Sequence, residues 1–228
     1  MNRSEINRLI REALRFFDRM NFRLPPWGTW PPESWIEHKD ICREIFENSL
    51  GWDLTDFGSG DFSSTGLLLF TIRNGNPLKD NKPYAEKIMI VDEAQVTPMH
   101  FHWSKMEDII NRGGGNLMID LYASDKTEGL SDQPFEVSMD GIMRTFRPGD
   151  TVRLKPGESI TLYQGLYHRF YGEPGKGKVL VGEVSTVNDD HTDNHFYDGV
   201  GRFPDIEEDE SPLHLLVNDY ARYVKDQY

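Results

Sequence analysis

Residues 98–115 read PMHFHWSKMEDIINRGGG, and the direction in which these side chains point decides the fold. His100 and His102 are two apart. Side chains alternate along a strand, so both histidines face the same side. On a helix, residues two apart diverge by about 200°, and Pro98 just before them argues against a helix as well. Glu107 follows after a four-residue spacer, room for a turn or bulge that brings the chain back past the same point. A third histidine, His168 in TLYQGLYHRFYGE, lies 66 residues beyond His102, and Gly165 just before it permits a tight turn that aims it inward.

Three imidazoles and one carboxylate leave two open positions on an octahedral ion. That set suits Mn, Fe, Ni, Co or Zn, and ligand type alone does not choose among them. The plainer alternative is two ordinary strand histidines with satisfied hydrogen bonds. The full pattern is HxHxxxxE, glycine seven residues later at Gly114, and a downstream GxxH. In a chain of many strands that pattern favours the metal site.

Around this stretch the chain is strand-rich. From about Gly66 onward, short apolar runs (LLLFTI, KIMIV, NLMIDLY, FEVSM, IMRTF, TVRL, ITLY and KVLVGEV) are separated by Asn-Gly, Asp-Gly and Pro-Gly turn signals. Such a series predicts a mainly β fold, an antiparallel barrel or sandwich. The first fifty residues predict helices instead. Ser4 is placed to cap a helix carrying Ile6, Leu9, Ile10, Ala13, Leu14 and Phe17 on one face. Pro31 and Pro32 open a second helix through Trp35, Ile36, Ile41 and Ile45, with Gly51 to end it. A last helix places Leu213, Leu216, Val217, Tyr220 and Val224 on one face. One domain spans 1–228, with a helical extension over 1–60, a β-barrel over 61–200, and an acidic loop and helix over 201–228.

Composition narrows the function. Of 228 residues, 38 are Asp or Glu and 25 are Lys or Arg, a formal charge of −13. That charge disfavours nucleic acid and anionic membrane as partners. No apolar run is long enough to span a bilayer, and the N-terminus lacks the apolar core of a signal peptide. The single cysteine, Cys42, suits a cytoplasmic setting.

The histidine and glutamate pattern resembles the cupin double motif. The first motif runs from His100 through Glu107 to Gly114. The second opens at Gly157 and ends with Gly165 and His168, although Tyr163 stands where proline is usual. A cupin is a small antiparallel jelly-roll barrel with its metal inside. Beyond that motif, MNFRLPP, KIMIVDE, TPMHFHWSKMEDIINRGGGN, GEVSTVNDDHTDNHF and RFPDIEEDE resemble the D-lyxose isomerase family over nearly the whole chain. The resemblance implies Mn(II) bound by His100, His102, Glu107 and His168, a ligand set that also admits other divalent ions such as Co or Fe. It also implies a homodimer, and the conversion of D-lyxose to D-xylulose and of D-mannose to D-fructose.

Aldose–ketose isomerisation moves a proton between C2 and C1 of an open-chain sugar through a metal-stabilised enediol(ate), so the site needs a divalent ion and a carboxylate. Besides Glu107, three side chains are catalytic candidates. Lys87 sits in KIMIV, apolar on both faces, where it either lines the barrel and binds a sugar hydroxyl or snorkels to water. Glu183 in VLVGEVS is a cavity group or an exposed edge residue. Glu207 in the acidic run is an acid/base on a lid, or part of a solvated surface. Asp189, Asp190, Asp193 and Asn194 offer hydroxyl partners or form turns. Trp103, with Phe101, either stacks on a sugar or belongs to the barrel wall. His191 and His195 raise a second metal site as a remote option. The chain has no Gly-rich phosphate loop, and Lys105 and Arg169 stand alone, so an unphosphorylated sugar fits better. The competing readings are a cupin dioxygenase, a non-catalytic sugar-binding cupin and a sugar-phosphate isomerase.

Overall fold

The structure, a computed structural model, describes residues 1–187, 192–201 and 204–225. Three helices, α1 (Arg3–Arg19), α2 (Pro32–His38) and α3 (Arg43–Glu47), precede the strands. These are β1 (Gly51–Thr55), β2 (Leu67–Arg73), β3 (Tyr84–Val91), β4 (Thr97–His102), β5 (Glu107–Gly114), β6 (Leu117–Ala123) and β7 (Phe135–Met139). They continue with β8 (Ile142–Phe146), β9 (Thr151–Leu154), β10 (Ser159–Leu162), β11 (Leu166–Gly172), β12 (Val179–Thr186) and β13 (Asn194–Phe196). All eight apolar runs singled out above are strands.

The strands form two antiparallel sheets, ordered β1-β2-β3-β12-β5-β10-β7-β8 and β13-β4-β11-β6-β9. They face each other as a jelly-roll sandwich of cupin type. Ile109, Leu117, Ile119, Val137, Leu154 and Val181 fill the space between them. The other face of the larger sheet is covered by α1, with Ile6, Ile10 and Phe17 packing on Trp52, Phe70 and Ile88. Each such side chain contributes roughly 1.5–3 kcal/mol through burial. β2 and β3 are therefore buried on both faces, which is why LLLFTI and KIMIV are continuously apolar rather than alternating.

Local chemistry sets the turns. Asp140 and Gly141 both have positive φ, 50° and 79°, the two-residue turn that suits the twist of a hairpin. The triple glycine marks where β5 ends against the turn before β12. A Cβ on Gly114 would lie 2.2 Å from the Lys178 carbonyl oxygen, and φ there is +88°.

Four expectations need correction. The sheet begins at Gly51, inside the stretch expected to be helical, because Trp52 and Leu54 alternate with Asp53 and Thr55 in a short strand. The second helix breaks at residues 39–41, a 3-10 turn that leaves Ile41 exposed. Among the described residues, the C-terminal stretch holds only a 3-10 turn, Val217–Asp219, and a π-helical turn, Ala221–Lys225. Leu216 is extended, so no single helical face unites Leu213 and Tyr220. Finally, α1 begins at Arg3 and Ser4 is not its cap.

Remote acidic residues satisfy the exposed start of α1 instead. The Asp209 carboxylate accepts from the Ser4 backbone N–H (2.9 Å) and hydroxyl (2.6 Å). Asn7 donates to Glu210 (2.6 Å) and the Ser211 carbonyl (2.9 Å). Arg3, fully buried, forks onto two carboxylates, Glu208 at 2.8–2.9 Å and Asp219 at 2.8–2.9 Å. Negative groups at a helix N-terminus answer both its unpaired N–H groups and its positive dipole end. The acidic run is thus a clasp between the two ends of the chain.

Candidate active site

His100 and His102 project from β4 and His168 from β11, where it pairs directly with His100. Candidate ligand atoms of the three lie within 4.8 Å of one another. Each Nδ1 is held by a backbone carbonyl: His100 by Pro98 (2.8 Å), His102 by Asp193 (3.2 Å) and His168 by Leu166 (3.0 Å). A carbonyl only accepts, so Nδ1 carries the hydrogen and Nε2 presents its lone pair.

Glu107 opens β5 after the bend at residues 103–106. Its Oε1 lies 3.4 Å from His102 Nε2 and 3.2 Å from His168 Nε2. Both Nε2 atoms are buried with no hydrogen-bond partner among the described residues. The contacts bring lone pairs face to face, an arrangement that a cation between them relieves. Burial pushes His100 well below its ordinary pKa, with His168 and His102 adding to the effect. Burial likewise lowers His102, with help from Lys105. For Glu107, burial acts upward, but the charge of Lys105 outweighs it and holds the carboxylate well below its usual range. Neutral imidazoles beside an ionised carboxylate fit a divalent metal ion.

The same cavity holds a chain of buried charges. Lys105 Nζ lies 2.6 Å from Glu107 Oε2 and 3.2 Å from Glu183 Oε1. Lys87, the cross-strand partner of Glu183, approaches the same Glu183 oxygen at 3.3 Å. Ser185 donates to it from 3.1 Å. Lys87, Lys105, Glu107 and Glu183 are each at most 5% exposed, and buried charges of this kind survive only when paired. The cavity spans about 620 Å3 of atom-free space, part of it open to solvent.

Of the residues singled out in the sequence, His100, His102, Glu107, His168, Lys87, Glu183 and Asn194 line this cavity. Asp193 instead braces its wall. Its carboxylate accepts the backbone N–H groups of Ser104 (2.7 Å) and Lys105 (2.9 Å), fixing the bend that delivers Lys105. Trp103 lies on the opposite side of β4, as alternation after His102 requires. There it is 45% exposed and donates to Glu128 (2.9 Å), so it does not stack within the cavity. Phe101 and His195 pack together on that outer face too. Glu207 is exposed, and its backbone pairs with Asn2 at the start of α1. The clasp that secures this segment holds it away from the cavity, so it is no lid acid. Asp189, Asp190 and His191 lie outside the described residues.

Lys105 was not evident as a cavity residue from the sequence, because strand alternation gives no direction inside a bend. Its closeness to Glu107 was the available signal. Asp53, Thr55 and Thr97 also line the cavity.

Two facing jelly-roll sheets around a cluster of three histidines and a glutamate define a cupin-type protein with a site fitted to a divalent metal. The sequence model of the D-lyxose isomerase family matches residues 1–220, and the chain belongs to that family. It is 49% identical over 229 residues to a D-lyxose/D-mannose isomerase of Serratia proteamaculans, covering 98% of this chain and all of that one. It is 47% identical over 226 residues to a D-lyxose/D-mannose isomerase of Escherichia coli O157:H7, again covering 98% and 100%. Among solved structures, ligand-free L-ribose isomerase of Cellulomonas parahominis shares the fold, with a TM-score of 0.59 at 16% identity over 91% of this chain and 98% of that one. L-ribose isomerase of Acinetobacter sp. DL28 in complex with L-ribose has a TM-score of 0.58 at 17% identity over 87% and 93%.

Proposed function

We propose that this protein is a metal-dependent aldose–ketose isomerase of free sugars, converting D-lyxose to D-xylulose and D-mannose to D-fructose. The observation that carries the reading is one cavity holding both a metal-binding centre and a proton carrier. The centre is the set of His100, His102, His168 and Glu107, with lone pairs converging. The carrier is Glu183, a carboxylate held beside it by Lys87 and Lys105. A divalent ion bound there supplies Lewis acidity toward the carbonyl and hydroxyl oxygens of the sugar.

The chain's own residues do the rest. Glu107 has one oxygen toward the histidines and the other on Lys105, so Glu183 is left to move the proton between C2 and C1. Lys87 and Lys105 stabilise negative charge developing on the C1 and C2 oxygens. Asn194 offers a hydroxyl partner, and Asp189 and Asp190 are further partners. The two lysines face two carboxylates, so the cavity offers no unbalanced positive cradle, and an uncharged sugar suits it better than a phosphate ester.

Mn(II) as the resident ion, a homodimeric assembly and a cytoplasmic setting complete the reading. The relatives' names support the substrates, and a lone, buried Cys42 accords with a reducing compartment. No helix among the described residues is long and apolar enough to cross a membrane.

The decisive experiment is anaerobic incubation of the Mn-loaded protein with D-lyxose, D-mannose and D-mannose 6-phosphate, with assay of ketose. Ketose from the free sugars, without oxygen, is expected. Absence of product from every aldose would refute isomerisation. Turnover confined to the phosphate would replace the substrate. Reconstitution with Mn, Co, Fe and Zn, and light scattering of the eluted protein, test the ion and the dimer.

A further inference from the structure

Thr97 stands in an unusual position. β4 and β11 pair His100 with His168 and Thr97 with Phe170, so three steps on β4 match two on β11. That is a β-bulge at Pro98 and Met99, a place where a residue without an N–H is tolerated. The bulge inverts the alternation. Thr97 shares the inward face with His100 and lines the cavity, about 7 Å beyond His100 by strand rise and on the side away from His102.

The residue is 3% exposed, yet Oγ1 has no hydrogen-bond partner among the described residues. A hydroxyl buried in this way costs free energy unless something binds it. Thr55 lines the same end of the cavity. Gly66 donates to the Val96 carbonyl (3.2 Å), and Leu67 pairs with Thr55, which brings β1 and β2 beside Thr97. Thr55 Oγ1 accepts from the Phe57 N–H at 2.9 Å, leaving its own hydrogen to donate. Asp53, two residues earlier on β1, continues this wall. A polar patch so placed, beyond the ligand cluster in an otherwise apolar end of the cavity, suits the hydroxyl-bearing tail of a sugar whose reacting carbons sit at the cluster.

The geometry points to Thr97 as a specificity-determining residue that binds the C4 or C6 hydroxyl of the aldose, with Thr55 and Asp53 completing the subsite. This rests on the isomerase reading. The test compares wild type, Thr97→Val and Thr97→Ser on D-mannose and on its 4-deoxy and 6-deoxy analogues. On intact mannose, Thr97→Val raises KM about fivefold, the worth of one neutral hydrogen bond, and leaves kcat within twofold, because a contact remote from the reacting carbons is made equally in ground and transition states. On one of the deoxy sugars wild type and Thr97→Val converge, and Thr97→Ser restores the wild-type KM. Ligand-free Thr97→Val melts no lower than wild type, since it loses a buried hydroxyl that had no partner among the described residues. An unchanged KM on mannose, an equal loss on all three sugars, or a lower melting temperature of the ligand-free variant each overturns the assignment while isomerase activity stands. A wild type inactive on every aldose overturns both.

Discussion

Replacing Lys105 by Met separates the electrostatics of the empty cavity from those of the metal-loaded one. Lys105 lies 2.6 Å from a Glu107 oxygen and 3.2 Å from a Glu183 oxygen, with all three side chains buried. Unit charges about 4 Å apart interact by roughly 4 kcal/mol at an effective dielectric of 20. Removing one member of a buried pair costs about 3–5 kcal/mol, because the remaining charge is stranded. For a chain of this length, 1 kcal/mol corresponds to about 2 °C in Tm. The metal-free Lys105→Met protein is therefore expected to melt about 6–10 °C below wild type. A divalent ion answers the charge of Glu107 in place of the ammonium, so the deficit shrinks when the ion is present, and the Tm gain on adding metal is larger in the variant than in wild type. Differential scanning calorimetry of both proteins, in chelator and in saturating MnCl2, measures the four melting temperatures. A metal-free deficit under about 2 °C would show that Lys105 does not compensate the buried carboxylates. An equal deficit with and without metal would show that Glu107 does not contribute its charge to the ion.

Three further outcomes follow from the same contacts. Arg3→Met strands the buried Asp219 and should also lower Tm by about 6–10 °C; a double-mutant cycle with Asp219→Asn that showed simple additivity would contradict the pairing. The hydrogen bond to Arg3, with the Arg3 and Arg222 charges, depresses the Glu208 carboxyl despite some opposing burial. Because its folded value lies below the unfolded one, the stability it supplies is present above the ordinary value of 4.5 and is lost as pH falls through the depressed folded value. The Tm gap between wild type and Arg3→Met should accordingly narrow as pH falls from about 6 to about 3, and a constant gap would exclude this linkage. Glu183→Gln should lower kcat by at least about a hundredfold, as loss of an acid–base group does, while isothermal titration finds Mn affinity within a fewfold of wild type; near-normal kcat would remove Glu183 from the proton transfer.

Much of the architecture was legible because it depends on local chemistry. Gly and Pro turns delimit strands, and period-two alternation fixes the face on which His100 and His102 lie. What stayed hidden depends on breaks in that alternation or on distant partners. Thr97 is turned inward by a bulge that no pattern announces, since Pro98 signals only that the ladder is interrupted. Lys105 is delivered by a bend whose shape depends on Asp193, nearly ninety residues away. The acidic run suggested a lid because Arg3, Ser4 and Asn7, which hold it, lie at the far end of the chain. β1 was masked by its brevity, although Trp52 and Leu54 alternate with Asp53 and Thr55 as a strand requires.

The clasp also sets an order of events during synthesis. Arg3 leaves the ribosome 205 residues ahead of Glu208. At about 5–20 residues per second, α1 waits roughly 10–40 s for the carboxylates that complete it. Until then its charged end has no buried partner. Final docking of α1 thus waits until the segment from Glu208 to Asp219 has been made, and a nascent polypeptide stopped short of Asp219 carries α1 unfastened.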